Sequence, residues 1–95
     1  MKNYETMFVL HPQYEDEQVD QFIEKVQERI TMDGGEVTNL DKWGKRKLAY
    51  EIDKLREGHY VVMNYTAPKE TSSKLEKAFN IAEGVLRYQI VLEEK

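Results

Sequence analysis

The chain has 95 residues, a formal net charge of −4, 40% hydrophobic and 34% charged residues, and no cysteine. A chain of this length buries roughly 60–65% of its unfolded surface, which suits one domain spanning 1–95 with a two-layer core and leaves no volume for a deep substrate cavity. The missing cysteines exclude disulfides and thiolate metal sites. The acidic balance opposes any long-range pull on nucleic acid. The apolar run Met7–Leu10 is too short for a signal peptide or a membrane span, so a cytoplasmic protein with no membrane partner is expected.

Asn3 to Leu10 alternates as a strand, with Tyr4, Thr6, Phe8 and Leu10 on one face. Pro12 stops it. Glu15, Asp16 and Glu17 then place negative charge where a helix N-terminus favours it. Val19, Phe22, Ile23, Val26 and Ile30 follow at helical spacing, and Gly34-Gly35 ends the helix.

Glu36 to Ile52 predicts a long strand with Leu48, Tyr50 and Ile52 inward. Val37 and Leu40 differ in parity, so a bulge is expected between Asp41 and Gly44. Asp53–Gly58 is expected as a polar turn, and His59–Thr66 as a strand with Val61, Met63 and Tyr65 on one face. Beyond Pro68, a second helix is expected from Thr71-Ser72-Ser73, where Ser73 and Glu76 have capping-box spacing. Its stripe is Leu75, Ala78, Phe79 and Ala82, and Gly84 ends it. Val85–Leu92 is the last strand, and Glu93–Lys95 is expected to fray.

The order strand, helix, strand, strand, helix, strand predicts an α+β, ferredoxin-like βαββαβ fold: a four-stranded antiparallel sheet with both helices on one face. The first and third strands are then central and the long basic strand lies at an edge. The helix-free face carries Met7, Val9, Tyr60, Val62, Arg87, Gln89 and Val91. It is more apolar than a wetted surface requires, which makes Met7, Val9, Tyr60, Val62, Gln89 and Val91 the candidate partner-binding set.

Catalytic chemistry is missing. His11 and His59 sit at strand ends with no complementary group, Ser72 and Ser73 read as caps, and His11-Pro12-Gln13-Tyr14 is not a phosphate-binding loop. The basic, glycine-bearing loop of the acylphosphatases, which share this length and fold, is absent there. No enzyme, metal site, cofactor or small-molecule substrate is expected. The RNA-recognition motif shares the topology, but Glu57-Gly58-His59-Tyr60-Val61-Val62-Met63-Asn64-Tyr65 matches its third-strand signature only in fragments.

The informative segment is Trp43-Gly44-Lys45-Arg46-Lys47-Leu48-Ala49-Tyr50. Three consecutive cations beside an aromatic, in an acidic chain, suit contact with a nucleic-acid backbone. A lysine-rich edge strand that deters pairing with other chains is the alternative, in a ligand-sensing or oligomerising module.

That segment, together with Lys2-x-Tyr4-Glu5, Gly58-His59-Tyr60 and Leu86-Arg87-Tyr88-Gln89-Ile90-Val91, resembles the family of the bacterial small-subunit ribosomal protein numbered sixth in its series. The resemblance spans essentially the whole chain. Asn3 and Thr6 stand where the family often carries a cation and an aliphatic residue. The resemblance implies a ribosome-bound, non-catalytic protein. It also implies binding to the central domain of 16S rRNA together with the eighteenth small-subunit protein, a short basic partner, as a heterodimer. By charge and by match to the family's basic positions, Lys2, Trp43, Lys45, Arg46, Lys47 and Arg87 form the expected RNA-facing set. Two points stay open. The parity of Arg46 with Leu48 directs it toward the helix layer unless the bulge reorients it, and Trp43 can meet either a base or the stems of Lys45 and Lys47.

Overall fold

The computed structural model describes residues 1–93. Its elements are β1 (Lys2–Leu10), α1 (Asp16–Met32), β2 (Glu36–Ile52), β3 (Leu55–Ala67), α2 (Lys69–Ile81) and β4 (Val85–Glu93). The sheet runs β2-β3-β1-β4 with every neighbouring pair antiparallel. Both central strands and the edge position of the basic strand are as expected from the sequence. Glu93, expected to fray, is instead the last residue of β4, and the rest of the expected fraying, at Glu94 and Lys95, lies outside the described residues.

Alternation in β1 and β3 divides the sheet into two faces. Register sets Tyr4 beside Tyr65, Thr6 beside Met63 and Phe8 beside Val61 on the helix-covered face. All six are buried there. Thr6 is the polar member, and its hydroxyl lies 3.0 Å from the Tyr65 hydroxyl. The hydroxyl is thereby satisfied inside the core.

Val19, Ile23, Val26 and Ile30 bury one side of α1; Thr71, Leu75 and Phe79 bury one side of α2. The rings of Phe8, Phe22, Phe79 and Tyr88 join the layers, with centroids 5.2 to 6.1 Å apart. At the start of α1, Gln18 Oε1 accepts from the Glu15 N–H at 2.8 Å, closing a capping box.

Three expectations about local structure are corrected. The turn after β2 is only Asp53-Lys54, both at positive φ (48° and 67°), so Leu55–Gly58 belongs to β3. This is the backbone of a two-residue hairpin whose twist matches the strands. The second helix starts at Lys69 behind Pro68, which places Ser73 inside it with no capping role. Finally, Ala78 is exposed and Thr71 takes its place on the buried side.

Candidate nucleic-acid interface

Strand β2 is interrupted by register shifts at Val37/Asn39, Lys42/Gly44 and Lys47/Ile52. The second coincides with the bulge expected from parity, and it leaves Trp43 as the extra residue. Gly44 follows at φ 77°, a left-handed conformation that glycine adopts without penalty. Beyond the bulge the faces exchange. Gly44 pairs with Tyr60 and Arg46 with Gly58, on the helix-free side, while Lys45 and Lys47 pair with His59 and Glu57 on the other. The bulge thus resolves the position of Arg46, away from the helix layer.

The last shift spans several unmatched positions in the hairpin arm. Tyr50, expected inward, is 60% exposed, and the Arg87 guanidinium lies 5.7 Å from its ring centroid. Leu48 and Ile52 are half-buried. The arm approaches the sheet closely at Gly58, where an added Cβ would stand 2.5 Å from Val9 Cγ1 and 2.9 Å from the Leu10 carbonyl oxygen.

A cluster of cations and rings results on the helix-free face. Trp43 stacks on Tyr60 with centroids 6.2 Å apart and planes at 11°. Arg46 Cζ lies 5.2 Å from the Trp43 centroid. The indole N–H donates to Asp41 Oδ2 at 3.0 Å, and Arg46 Nε donates to the Trp43 carbonyl at 3.4 Å. Trp43 therefore meets Tyr60 and Arg46 rather than the stems of Lys45 and Lys47. Among the described residues, none of Lys45, Arg46, Lys47 and Arg87 forms a salt bridge. Lys42, by contrast, is tied to Asp20 on α1.

The opposite end of this face is acidic and amide-rich. Asn64 Nδ2 donates to Glu5 Oε2 at 3.3 Å and to Glu93 Oε1 at 3.1 Å, and Asn39 Nδ2 donates to Asn64 Oδ1 at 3.3 Å. Along the strands, the helix-free face thus carries the Arg46 and Arg87 guanidinium groups toward the hairpin and the Glu5 and Glu93 carboxylates toward the opposite end, with the Asp41 carboxylate beside Trp43.

The structure unites some of the sequence-chosen residues and separates others. Trp43, Arg46 and Arg87 share the helix-free face, and Lys45 and Lys47 flank it from the other side of the same strand. Lys2 pairs with Ala67 at the far end. The length of β1 separates it from the Leu10 row, roughly 26 Å.

Met7, Tyr60 and Val62 are half-buried on the helix-free face, where Gln89 and Val91 are exposed. Val9 is on that face by register but is fully buried beneath the arm, so it supports the surface instead of forming it. Tyr50 joins the cluster although strand parity directs it inward. Its exposure depends on the third register shift, which parity cannot reveal.

The family model for ribosomal protein S6 matches residues 3–92. The small ribosomal subunit protein bS6 of Carboxydothermus hydrogenoformans is 45% identical over 95 residues, covering 100% of this chain and 99% of that protein. The bS6 protein of Thermoanaerobacter pseudethanolicus is 48% identical over 91 residues and 96% of each chain. The crystal structure of the 30S ribosomal protein S6 of Thermotoga maritima superposes with a TM-score of 0.90 at 28% identity, covering 97% of this chain and 87% of that one. Fold, length and sequence agree: the chain belongs to the ribosomal protein S6 family.

Proposed function

We propose that this protein binds the central domain of 16S rRNA jointly with the eighteenth small-subunit protein, using its basic edge for RNA and its helix-free face for the protein partner. As a member of its family, the chain is a non-enzymatic structural component of the small ribosomal subunit, at work on the cytoplasmic ribosome. The carrying observation is the set Lys45, Arg46, Lys47 and Arg87, cations outside any salt bridge among the described residues of a chain whose net charge is −4. Such a chain gains little from long-range steering, because salt confines effective charge to about 8 Å. Contact must therefore be local, and a basic companion relieves the repulsion elsewhere. Phosphate contacts would fix orientation on the RNA. Met7, Tyr60, Val62, Gln89 and Val91 offer the partner a mixed apolar and polar surface.

Sedimentation of the tagged protein with small subunits at moderate salt tests the reading. Replacing Lys45, Arg46 and Lys47 with Ala should lower occupancy and flatten the log–log salt dependence of RNA binding by about 2–3, roughly 0.7–0.9 for each phosphate left without its cation. Undiminished occupancy and an unchanged slope would overturn it.

A further inference from the structure

An exposed tryptophan beside cations invites the role of a stacking platform for an unpaired base. The bonding of Trp43 argues otherwise. Its ring already carries the Arg46 guanidinium and Tyr60. Its indole N–H is committed to Asp41 and its carbonyl to Arg46 Nε. A base stacking on the guanidinium-covered part of the ring would have to displace a favourable cation–π contact. The two Nη groups of Arg46, in contrast, have no hydrogen-bond partner among the described residues.

We infer that Trp43 is a positioning residue, which holds Arg46 so that its free Nη edge forks a phosphodiester oxygen pair of the bound RNA. The inference rests on the RNA-binding reading above and names the chemical group that this part of the site takes. Its physical basis is pre-organisation. A free arginine gives up considerable rotamer freedom when it docks, whereas a guanidinium stacked on indole and tied through Nε has surrendered part of that freedom beforehand. The geometry leaves open to solvent the donors that match phosphate, and these are the donors of a planar fork rather than a point charge. Tyr60 supports the indole from the neighbouring strand, and the bulge at Trp43 puts both side chains on one face. Sequence spacing alone would have set Trp43 and Arg46 on opposite faces of a regular strand.

A mutant cycle on a 16S central-domain transcript, with the eighteenth small-subunit protein present, tests this. Dissociation constants and salt slopes are measured for Arg46→Ala, Arg46→Lys, Trp43→Leu and the double variant Trp43→Leu/Arg46→Ala. Arg46→Ala should weaken binding and reduce the slope by roughly 0.7–0.9. Arg46→Lys should keep the slope but bind more weakly, because the charge remains and the fork does not. Trp43→Leu should weaken binding roughly two- to five-fold, the scale of an exposed cation–π contact, and should add nothing in the Arg46→Ala background. Base stacking by Trp43 predicts a persistent, roughly five- to hundred-fold loss in that background, and this result would overturn the positioning role. If Arg46→Ala leaves both affinity and slope intact, the RNA contact at this site fails and the role of Trp43 falls with it. Should Trp43→Leu lower the melting temperature, the same comparison is made with Trp43→Phe, which retains a ring and is expected to lose less than about two-fold in the wild-type background and nothing in the Arg46→Ala background.

Discussion

The Thr71 hydroxyl donates to Asp33 Oδ2 at 2.8 Å, fastening the first turn of α2 to the residue that caps α1. Thr71 is fully buried, and Lys74 Nζ and Arg29 Nη1 approach Asp33 Oδ1 at 3.3 and 3.6 Å. The Thr71 hydrogen bond, with help from Lys74 and Arg29 and against the effect of partial burial, holds the Asp33 carboxyl below its ordinary value of 3.8. In the unfolded chain that carboxyl titrates near 3.8; in the folded chain it titrates lower. Its contribution to stability is therefore complete above the unfolded value and disappears as pH falls through the folded one. Thr71→Val should lower the neutral melting temperature, and the deficit should shrink toward zero on acidification. Thermal melts of both proteins between about pH 2 and pH 7 check this; a deficit independent of pH would assign the loss to packing alone.

Removal of the Thr6 hydroxyl addresses the core directly. Thr6→Val preserves shape but leaves the buried Tyr65 hydroxyl without its partner at 3.0 Å. An unsatisfied buried hydroxyl costs about 1–3 kcal/mol, to be read from denaturant unfolding at neutral pH. Burial raises the Tyr65 phenol above its ordinary value of 10.0, with the Thr6 hydrogen bond opposing that shift. The neutral phenol is thus the form favoured by folding, and wild-type stability should fall as pH rises beyond about 10, where the unfolded chain ionises first. The valine variant should show a steeper alkaline decline, since it lacks the bond that favours the phenolate.

These pairs also mark how far the sequence can be read. Strand alternation and helical stripes depend on local periodicity, so the element order and the positions of Tyr4, Phe8, Val61 and Met63 are accessible from the residues. In the sequence Thr71 marks only the expected start of the second helix, because its partner Asp33 is 38 residues distant. The Asp53-Lys54 turn carries no glycine despite two positive φ values, so the usual hairpin signal is absent and the sequence points to a strand start at His59, too late by several residues. At the site, the cations are evident from charge alone. Their division between faces is not, because each register shift reverses the parity beyond it.

Two glycines near the cluster should respond differently to the same substitution. Gly58→Ala would drive a methyl against Val9 and the Leu10 carbonyl, at 2.5 and 2.9 Å. Neither the packed isopropyl group nor the backbone can withdraw freely, so a loss of about 1–3 kcal/mol is expected. Gly44 has open space around it and only its φ of 77° to defend. Gly44→Ala should then cost about 1–2 kcal/mol through strain in the bulge, with the Arg46 geometry disturbed. Unfolding free energies measure the first effect. RNA affinity separates the second, since Gly44→Ala should weaken binding more than Gly58→Ala at matched stability.

The placement of Lys2 makes a final prediction about independence. It lies on the central strand β1, roughly 26 Å along the strands from the row of Lys45, with no partner shared with Arg46 among the described residues. Salt screens charges over about 8 Å, so neither cation should sense the other. If both contact the RNA, Lys2→Ala and Arg46→Ala should each lower the salt slope by roughly 0.7–0.9. Their effects on binding free energy should add to within about 0.3–0.5 kcal/mol. Coupling beyond that range in the double variant would mean that the RNA or the protein partner links the two ends of the sheet, and the two cations could no longer be treated as separate contacts.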